Sequence, residues 1–257
     1  MTLFDMDGMT AVITGSTKGI GKAIAERMAE HGANVVVSSR KADACDAVAA
    51  EINEKWVKGG NKAAAIPCHI GHKEQLQALV DKSNDTFGKI DVLVCNAAVN
   101  PYFGPSRDIP DSAFDKIMEA NVRSNFWLSH MAAGQMAERG DGSIIIVSSI
   151  GGLKGSATLG VYGISKAADM ELARVLAVEY GPRNVRANAI APGLVRTDFA
   201  RELWDDPKKL EVRNAVTPLR RIGEPDEIAG IAVTLATKAG SFITGQTLVV
   251  DGGVQIA

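Results

Sequence analysis

Tyr162 and Lys166 form the one pair in this sequence whose types and spacing could carry acid–base chemistry. In a helical pattern, residues i and i+4 place their side chains on one face. A phenol titrates near about 10, too high to exchange protons readily at neutral pH. A cation beside it stabilises the phenolate and brings it toward the working range. Such pairs are common on exposed helices, so the spacing alone proves little. The setting adds weight. Ser148-Ser149 ends a strand pattern just upstream, at the C-terminal edge of the sheet, where open α/β folds bind ligands. A serine hydroxyl there could hold a carbonyl oxygen against the tyrosine.

A second set of residues could hold a dinucleotide. Val12-Ile13 runs into Thr14-Gly15-Ser16-Thr17-Lys18-Gly19-Ile20-Gly21, and a helical pattern follows. Glycines at a strand-to-helix turn let the backbone approach a pyrophosphate, which the helix N-terminus stabilises. A triphosphate loop needs four residues between its glycines and a hydroxyl residue after its lysine. Here five residues separate Gly15 from Gly21, and Ala23 follows Lys22, so that rival fails. The second strand ends Val37-Ser38-Ser39-Arg40-Lys41 without the carboxylate that usually holds a ribose diol. Arg40 and Lys18 could clamp a 2′-phosphate instead, which favours NADP(H) over NAD(H).

These groups need a frame. Thr10–Thr14, Val35–Ser38, Ala63–Pro67, Val92–Cys95, Ser143–Ser148, Arg186–Ile190 and Thr247–Val250 are continuous apolar runs, as in a parallel sheet covered on both faces. Amphipathic stretches alternate with them: Ile20–His31, Ala42–Trp56, Lys73–Phe87, Ser112–Glu138, Ala157–Tyr180 and Pro225–Lys238. Gly32, Gly88 and Gly181 stand where helix C-termini need a residue tolerant of positive φ. Seven strands interleaved with six helices predict a single-domain, doubly wound seven-stranded parallel α/β sheet over residues 1–257. The stretch from Pro192 to about Pro218 breaks the rhythm. Its Phe199, Leu203 and Trp204 favour a substrate-covering lid over about 193–218.

Bulk properties exclude other classes. A net charge of −2 gives no reason to expect nucleic acid or an anionic membrane as partner. The acidic Met1–Gly8 stretch is unlike a secretory signal, no apolar run reaches spanning length, and Gln255-Ile256-Ala257 is unlike a peroxisomal tripeptide. Cys45, Cys68 and Cys95 are odd in number and scattered, which reads as free thiols in a reducing, cytoplasmic setting. His69 and His72 lack further ligands at metal spacing, so no metal is expected.

With these residues in place, the chain resembles the short-chain dehydrogenase/reductase family in its form of about 250 residues, over essentially its whole length. Gly15, Thr17, Lys18, Gly19, Ile20 and Gly21 are similar to that family's cofactor loop. Asn96-Ala97-Ala98 stands where Asn-Ala-Gly is usual, and Asn121, Ser149, Tyr162 and Lys166 fall at the spacing of its catalytic tetrad. Pro192-Gly193, Val195 and Thr197 resemble its nicotinamide-carboxamide site. The resemblance implies a Rossmann-like fold, NADP(H)-linked reduction of a ketone or aldehyde or the reverse oxidation, and a homotetramer. It implies that Tyr162 is the proton donor or acceptor and that Ser149 polarises the carbonyl. Lys166 would tune Tyr162 and hold the nicotinamide ribose, and Asn121 would keep a proton-relaying water. Several stretches look closest to NADPH-dependent carbonyl and retinal reductases of the peroxisomal type: Ser38–Lys41, Asn96–Pro101 and Ala191–Leu194. Two departures stand out. Cys68-His69-Ile70 replaces the usual adenine-holding Asp, leaving the base to His69 or the Ile70 backbone, and Ala98 replaces a glycine. An NAD-linked alcohol or steroid dehydrogenase and a cofactor-binding sensor without turnover are the alternatives.

Overall fold

The computed structural model describes residues 2–57 and 59–257, so Met1 in the N-terminal reading lies outside the described residues, as does Lys58. Seven strands form one parallel sheet: β1 (Thr10–Thr14), β2 (Asn34–Ser38), β3 (Ala63–Ala65), β4 (Val92–Cys95), β5 (Gly142–Val147), β6 (Val185–Pro192) and β7 (Thr247–Val250). Their order is β3-β2-β1-β4-β5-β6-β7. β1 and β4 are neighbours whose crossovers leave in opposite directions. Their C-terminal ends therefore open the crevice in which such sheets take ligands.

Alternate residues of each strand feed two apolar layers, because successive side chains point to opposite faces. Ile13, Val35, Val37, Val94 and Ile145 pack with α1 (Gly19–Glu30), α2 (Ala42–Lys55) and, toward the far edge, α9 (Pro225–Ala236). Val12, Val36, Leu93, Ile144 and Ile146 pack with α3 (Lys73–Phe87), α5 (Ser124–Arg139) and α6 (Gly160–Tyr180). Burial on both faces is why the strand runs are continuous in hydrophobicity. β7 departs from that expectation. It is one of the two edge strands and is half-exposed, with Val249 open to solvent.

Other departures have local causes. β3 stops at Ala65, although Ile66 and Cys68 still donate to the Val37 and Ser39 carbonyls, and Pro67 between them turns its nitrogen to the open side of this edge strand. The stretch expected as one helix over Ser112–Glu138 is α4 (Asp111–Ile117), a π-helical turn at Met118–Arg123, and then α5. Within and after that turn Ser124 Oγ donates to the Ala120 carbonyl and Asn125 Nδ2 to the Asn121 carbonyl, occupying acceptors that the wider turn loosens. Gly88 ends α3 at φ 80 and Gly32 follows α1 at φ 103, but Gly181 has an ordinary helical φ of −54. The chain runs on through a 3₁₀ turn there, and Asn184 takes the left-handed position instead.

The Pro192–Pro218 segment is also more regular than its sequence implies. It contains α7 (Arg201–Trp204) and α8 (Pro207–Val216). α8 begins with Asp206 accepting from the Lys208 and Lys209 amides and Pro207 at the first helical position, a start signal legible in the residues themselves.

Candidate active site

The glycine loop is shaped by its neighbours. Gly15 has φ 66, and a Cβ there would stand 3.0 Å from the Ala97 Cα, so both the turn and the close approach require glycine. Thr14 Oγ1 accepts from the Asn96 and Ala97 amides at 3.0 and 3.1 Å, and Asn96 Nδ2 donates to the carbonyls of Thr14 and Gly15. The ends of β1 and β4 are thereby stitched together, with Ala98 next in line. Ser16 Oγ accepts from the Ser38 amide and joins β2 to the same edge. Among the described residues no acidic side chain lies in the first turn of α1 and no side chain caps its N-terminus. Its amides and positive dipole end therefore face the crevice uncompensated, as an incoming phosphate requires.

Where a ribose would sit, Ser39 is half-buried, and Arg40 is exposed and in no ion pair among the described residues. Lys18 reaches toward the lid. Its Nζ is 3.4 Å from Asp198 at the start of the lid, with both groups well exposed. His69 and Ile70 follow β3 and are half-buried. His69 Nδ1 accepts from the Gly71 amide, and its ring lies 4.6 Å from that of His72. Burial, then the charges of His72 and Arg40, hold the His69 ring below its ordinary pKa. A neutral, flat ring at that position suits an adenine better than a charged one.

Pro192 ends β6, and Gly193 lies against the Asp251 backbone. Val195 pairs with Gly223 in an isolated parallel bridge, which fixes where the lid leaves the sheet. Thr197 then returns to the loop: a Cβ on Gly19, which has φ 57, would lie 3.2 Å from Thr197 Cγ2. The carboxamide-like stretch and the cofactor-like loop are therefore in contact. Trp204 does not turn inward. Its Nε1 donates to the Thr197 carbonyl and Arg196 stacks on its ring, so it braces the lid base. Phe199 reaches the site, 6.2 Å from the Tyr162 ring.

Ser149 follows β5 and Tyr162 lies in the first turn of α6. Both border one spot: the position a Gly151 Cβ would take is 3.4 Å from Ser149 Oγ and 3.9 Å from the edge of the Tyr162 ring. Ser149 Oγ accepts from the Gly151 amide at 3.1 Å, which leaves its own hydrogen free to point outward. Lys166 lies beneath, 1 % exposed, with Nζ 5.8 Å from the Tyr162 ring centre. Ser148 Oγ donates to the Lys166 carbonyl. Asn121 is fully buried in the π-helical turn. Its amide clamps Val99 in both directions, at 2.8 and 3.0 Å, and donates to Ser165 Oγ, which in turn donates to the Tyr162 carbonyl.

Two residues of this cluster escape the sequence reading. Lys166 Nζ donates to Asp169 Oδ2 at 2.9 Å and to the Val147 carbonyl at 3.0 Å, and Asn125 Nδ2 donates to Asp169 Oδ1. The available signal was an Asp three residues after the lysine, on the same face of an otherwise apolar helix.

The likenesses to known proteins agree with this geometry. The family model described as Enoyl-(Acyl carrier protein) reductase matches residues 15–255. Dehydrogenase/reductase SDR family member 4 of Bos taurus is 43% identical over 248 residues, covering 96% of this chain and 88% of that protein. A 7α-hydroxysteroid dehydrogenase solved with NADH and 7-oxo glycochenodeoxycholic acid superposes with a TM-score of 0.92 at 38% identity, covering 98% of this chain and 96% of that one. A gluconate 5-dehydrogenase from Burkholderia cenocepacia, solved with NADP and tartrate, gives 0.93 at 31% identity over 99% and 98%. With that cover and that identity, the chain belongs to the short-chain dehydrogenase/reductase family of nicotinamide-linked oxidoreductases.

Proposed function

We propose that this protein uses NADP(H) to reduce a ketone or aldehyde, or to oxidise the corresponding alcohol. The observation that carries the reading is the convergence of Ser149 Oγ and Tyr162 on one spot above a buried lysine. A serine hydroxyl and a tyrosine side chain bordering one spot suit a single oxygen that turns from carbonyl into alkoxide. Gly15, Thr17, Lys18, Gly19, Ile20 and Gly21 would hold the pyrophosphate. Ser39 and Arg40 would hold the 2′-phosphate side, and His69 and Ile70 the adenine. Asn96, Ala97 and Ala98 would line the middle of the cofactor, with Pro192, Gly193, Val195 and Thr197 at the carboxamide. The uncapped α1 terminus and the space left by Gly15 support the fit.

When bound, the cofactor supplies or accepts the hydride. Tyr162 gives its phenolic proton to the oxygen in reduction and takes it back in oxidation, while Ser149 donates a hydrogen bond to the same oxygen. Lys166 favours the phenolate by its charge and would hold the nicotinamide ribose when the cofactor is bound. Asn121 shapes the wall behind them through Val99 and Ser165.

The absence of a carboxylate at the end of β2, with Arg40 unpaired there, supports NADP(H). The NADH-bound steroid dehydrogenase at 38% identity supports the other reading, an NAD-linked alcohol or steroid dehydrogenase. The deciding experiment follows NADPH and NADH absorbance with a panel of ketones, aldehydes and diketones. Turnover with NADPH that is weakened at least about tenfold in kcat/KM by Arg40→Ala, with NADH unaffected, is the expected result. Equal activity with NADH and indifference to Arg40→Ala would move the assignment to NAD(H). Cofactor binding with no turnover of any carbonyl or alcohol would leave only a sensor.

The proposal extends to assembly and place. Phe126 on α5 and Val175 and Val178 on α6 are exposed on one helical layer, and Phe242, Val249 and Ile256 are exposed in the chain within and flanking β7. Two separate surfaces are what a homotetramer with two kinds of interface uses. The free, buried Cys45, Cys68 and Cys95 fit a reducing cytoplasm.

A further inference from the structure

We infer that Asp169 is a positioning residue: its buried carboxylate holds the Lys166 ammonium at the place from which it acts on Tyr162. The inference rests on the proposed roles of Tyr162 and Lys166 and adds a partner that those roles do not include. Lys166 has three N–H groups. One goes to Val147 and one to Asp169, which leaves the third for the side on which Tyr162 lies. Asp169 is 0 % exposed, and both its oxygens accept, from Lys166 and from Asn125. The second amide hydrogen of Asn125 goes to the Asn121 carbonyl at 2.7 Å, so the chain of contacts runs from Lys166 to the π-helical turn.

A buried ion pair is a poor device for stability alone, because apolar side chains filling the same space do as well or better. What it does well is fix geometry and charge. Burial by itself favours the neutral amine of Lys166. The Asp169 carboxylate and then Tyr162 outweigh that and hold Lys166 above its ordinary pKa. Burial pushes the Asp169 carboxyl up as well, against the pull of Lys166 and Asn125. With two donors on its two oxygens, the charged pair is the state the hydrogen bonds fit. From β4 the titratable group facing the pair is Cys95, pushed up to about 12 by burial and therefore neutral. α5 presents Asn125 and Ser129, and β5 only a carbonyl.

The test compares the wild-type protein with Asp169→Asn in two ways. The Lys166 ammonium is titrated directly by NMR of lysine side-chain nitrogens in cofactor-free protein, and kcat/KM for carbonyl reduction is followed against pH. Without its counter-charge Lys166 loses its proton about one to three pH units lower, and the basic limb of the rate profile moves down with it. Should the amine keep its proton, its unopposed charge favours the phenolate and moves that limb the same way. The double variant Asn125→Ala/Asp169→Leu removes the carboxylate together with its neutral donor, so that only Lys166 loses an acceptor, and it gives the same shifts if Asp169→Asn does not fold. Asp169→Glu recovers part of the profile. An unchanged Lys166 titration and an unchanged basic limb in a folded variant would overturn the inference, even if stability fell. Wild-type protein that turns over no carbonyl or alcohol while Lys166 still titrates as expected would instead sink the functional reading.

Discussion

At the residue scale, Tyr162 and Lys166 share a face but not an environment. Tyr162 stands at the mouth beside Phe199, whereas Lys166 is enclosed. The two should therefore fail differently. Tyr162→Phe removes one oxygen without emptying the space, and it lowers kcat by about 100- to 10 000-fold while leaving the NADPH dissociation constant within about twofold. Lys166→Ala lowers kcat and also weakens NADPH binding, because it deletes both the charge beneath the phenol and the reach toward the ribose. Stopped-flow turnover with fluorescence titration of NADPH separates the two. Near-normal turnover by Tyr162→Phe would mean that the proton donor has been misassigned. The pair was legible from its spacing and from Ser149 upstream. Asp169 was not. In sequence it is one polar residue in a helix. Only the meeting of β4, α5 and α6 shows that it is sealed from water against Asn125 and Lys166.

At the element scale, the strands and long helices were readable because burial on both sheet faces writes itself as apolar runs. The π-helical turn and α7 were not, and of α8 only its Asp206-Pro207 start was. A π turn inserts one residue without breaking the amphipathic pattern, and α8 buries no residue fully that would mark an inner face. One junction makes its own prediction. At the start of α9 Glu227 accepts from both Arg221 terminal nitrogens, at 2.7 and 2.6 Å, and from the Glu224 amide at 2.8 Å. The Arg221 guanidinium and that amide hold its carboxyl at about 2. Because the folded value lies below the ordinary one, this stabilisation is present above pH about 4.5 and is lost as pH falls through about 2. Glu227→Gln should lower the urea midpoint at pH 7, and the gap to wild type should close as the pH approaches 2. A gap that is constant across that range would show that the contact acts by shape and not by charge.

At the scale of the whole molecule, the sheet is covered on both faces, yet apolar side chains remain in the open on the outer helices and around β7, among other places. Phe126 and Val178 lie on the outer side of the α5–α6 layer, Val178 being 79 % exposed. Phe242 and Ile256, which precede and follow β7 in the chain, are exposed too, and β7 as an edge strand presents its unpaired backbone. A solitary exposed valine means little, but grouped apolar residues beside an open strand edge are what assembly surfaces use. If each place is one two-fold interface, a tetramer needs both, and breaking either leaves dimers. Val178→Glu should therefore give a two-chain particle by multi-angle light scattering, and Phe242→Asp should do the same. The double variant should give single chains, because a charge then stands in each of the two proposed interfaces. Each two-chain form should keep its far-ultraviolet circular dichroism, since neither side chain contributes to the two core layers. A wild-type protein that runs as a single chain at micromolar concentration would remove the assembly proposal. A Val178→Glu variant that stays tetrameric would place the first interface elsewhere on the surface.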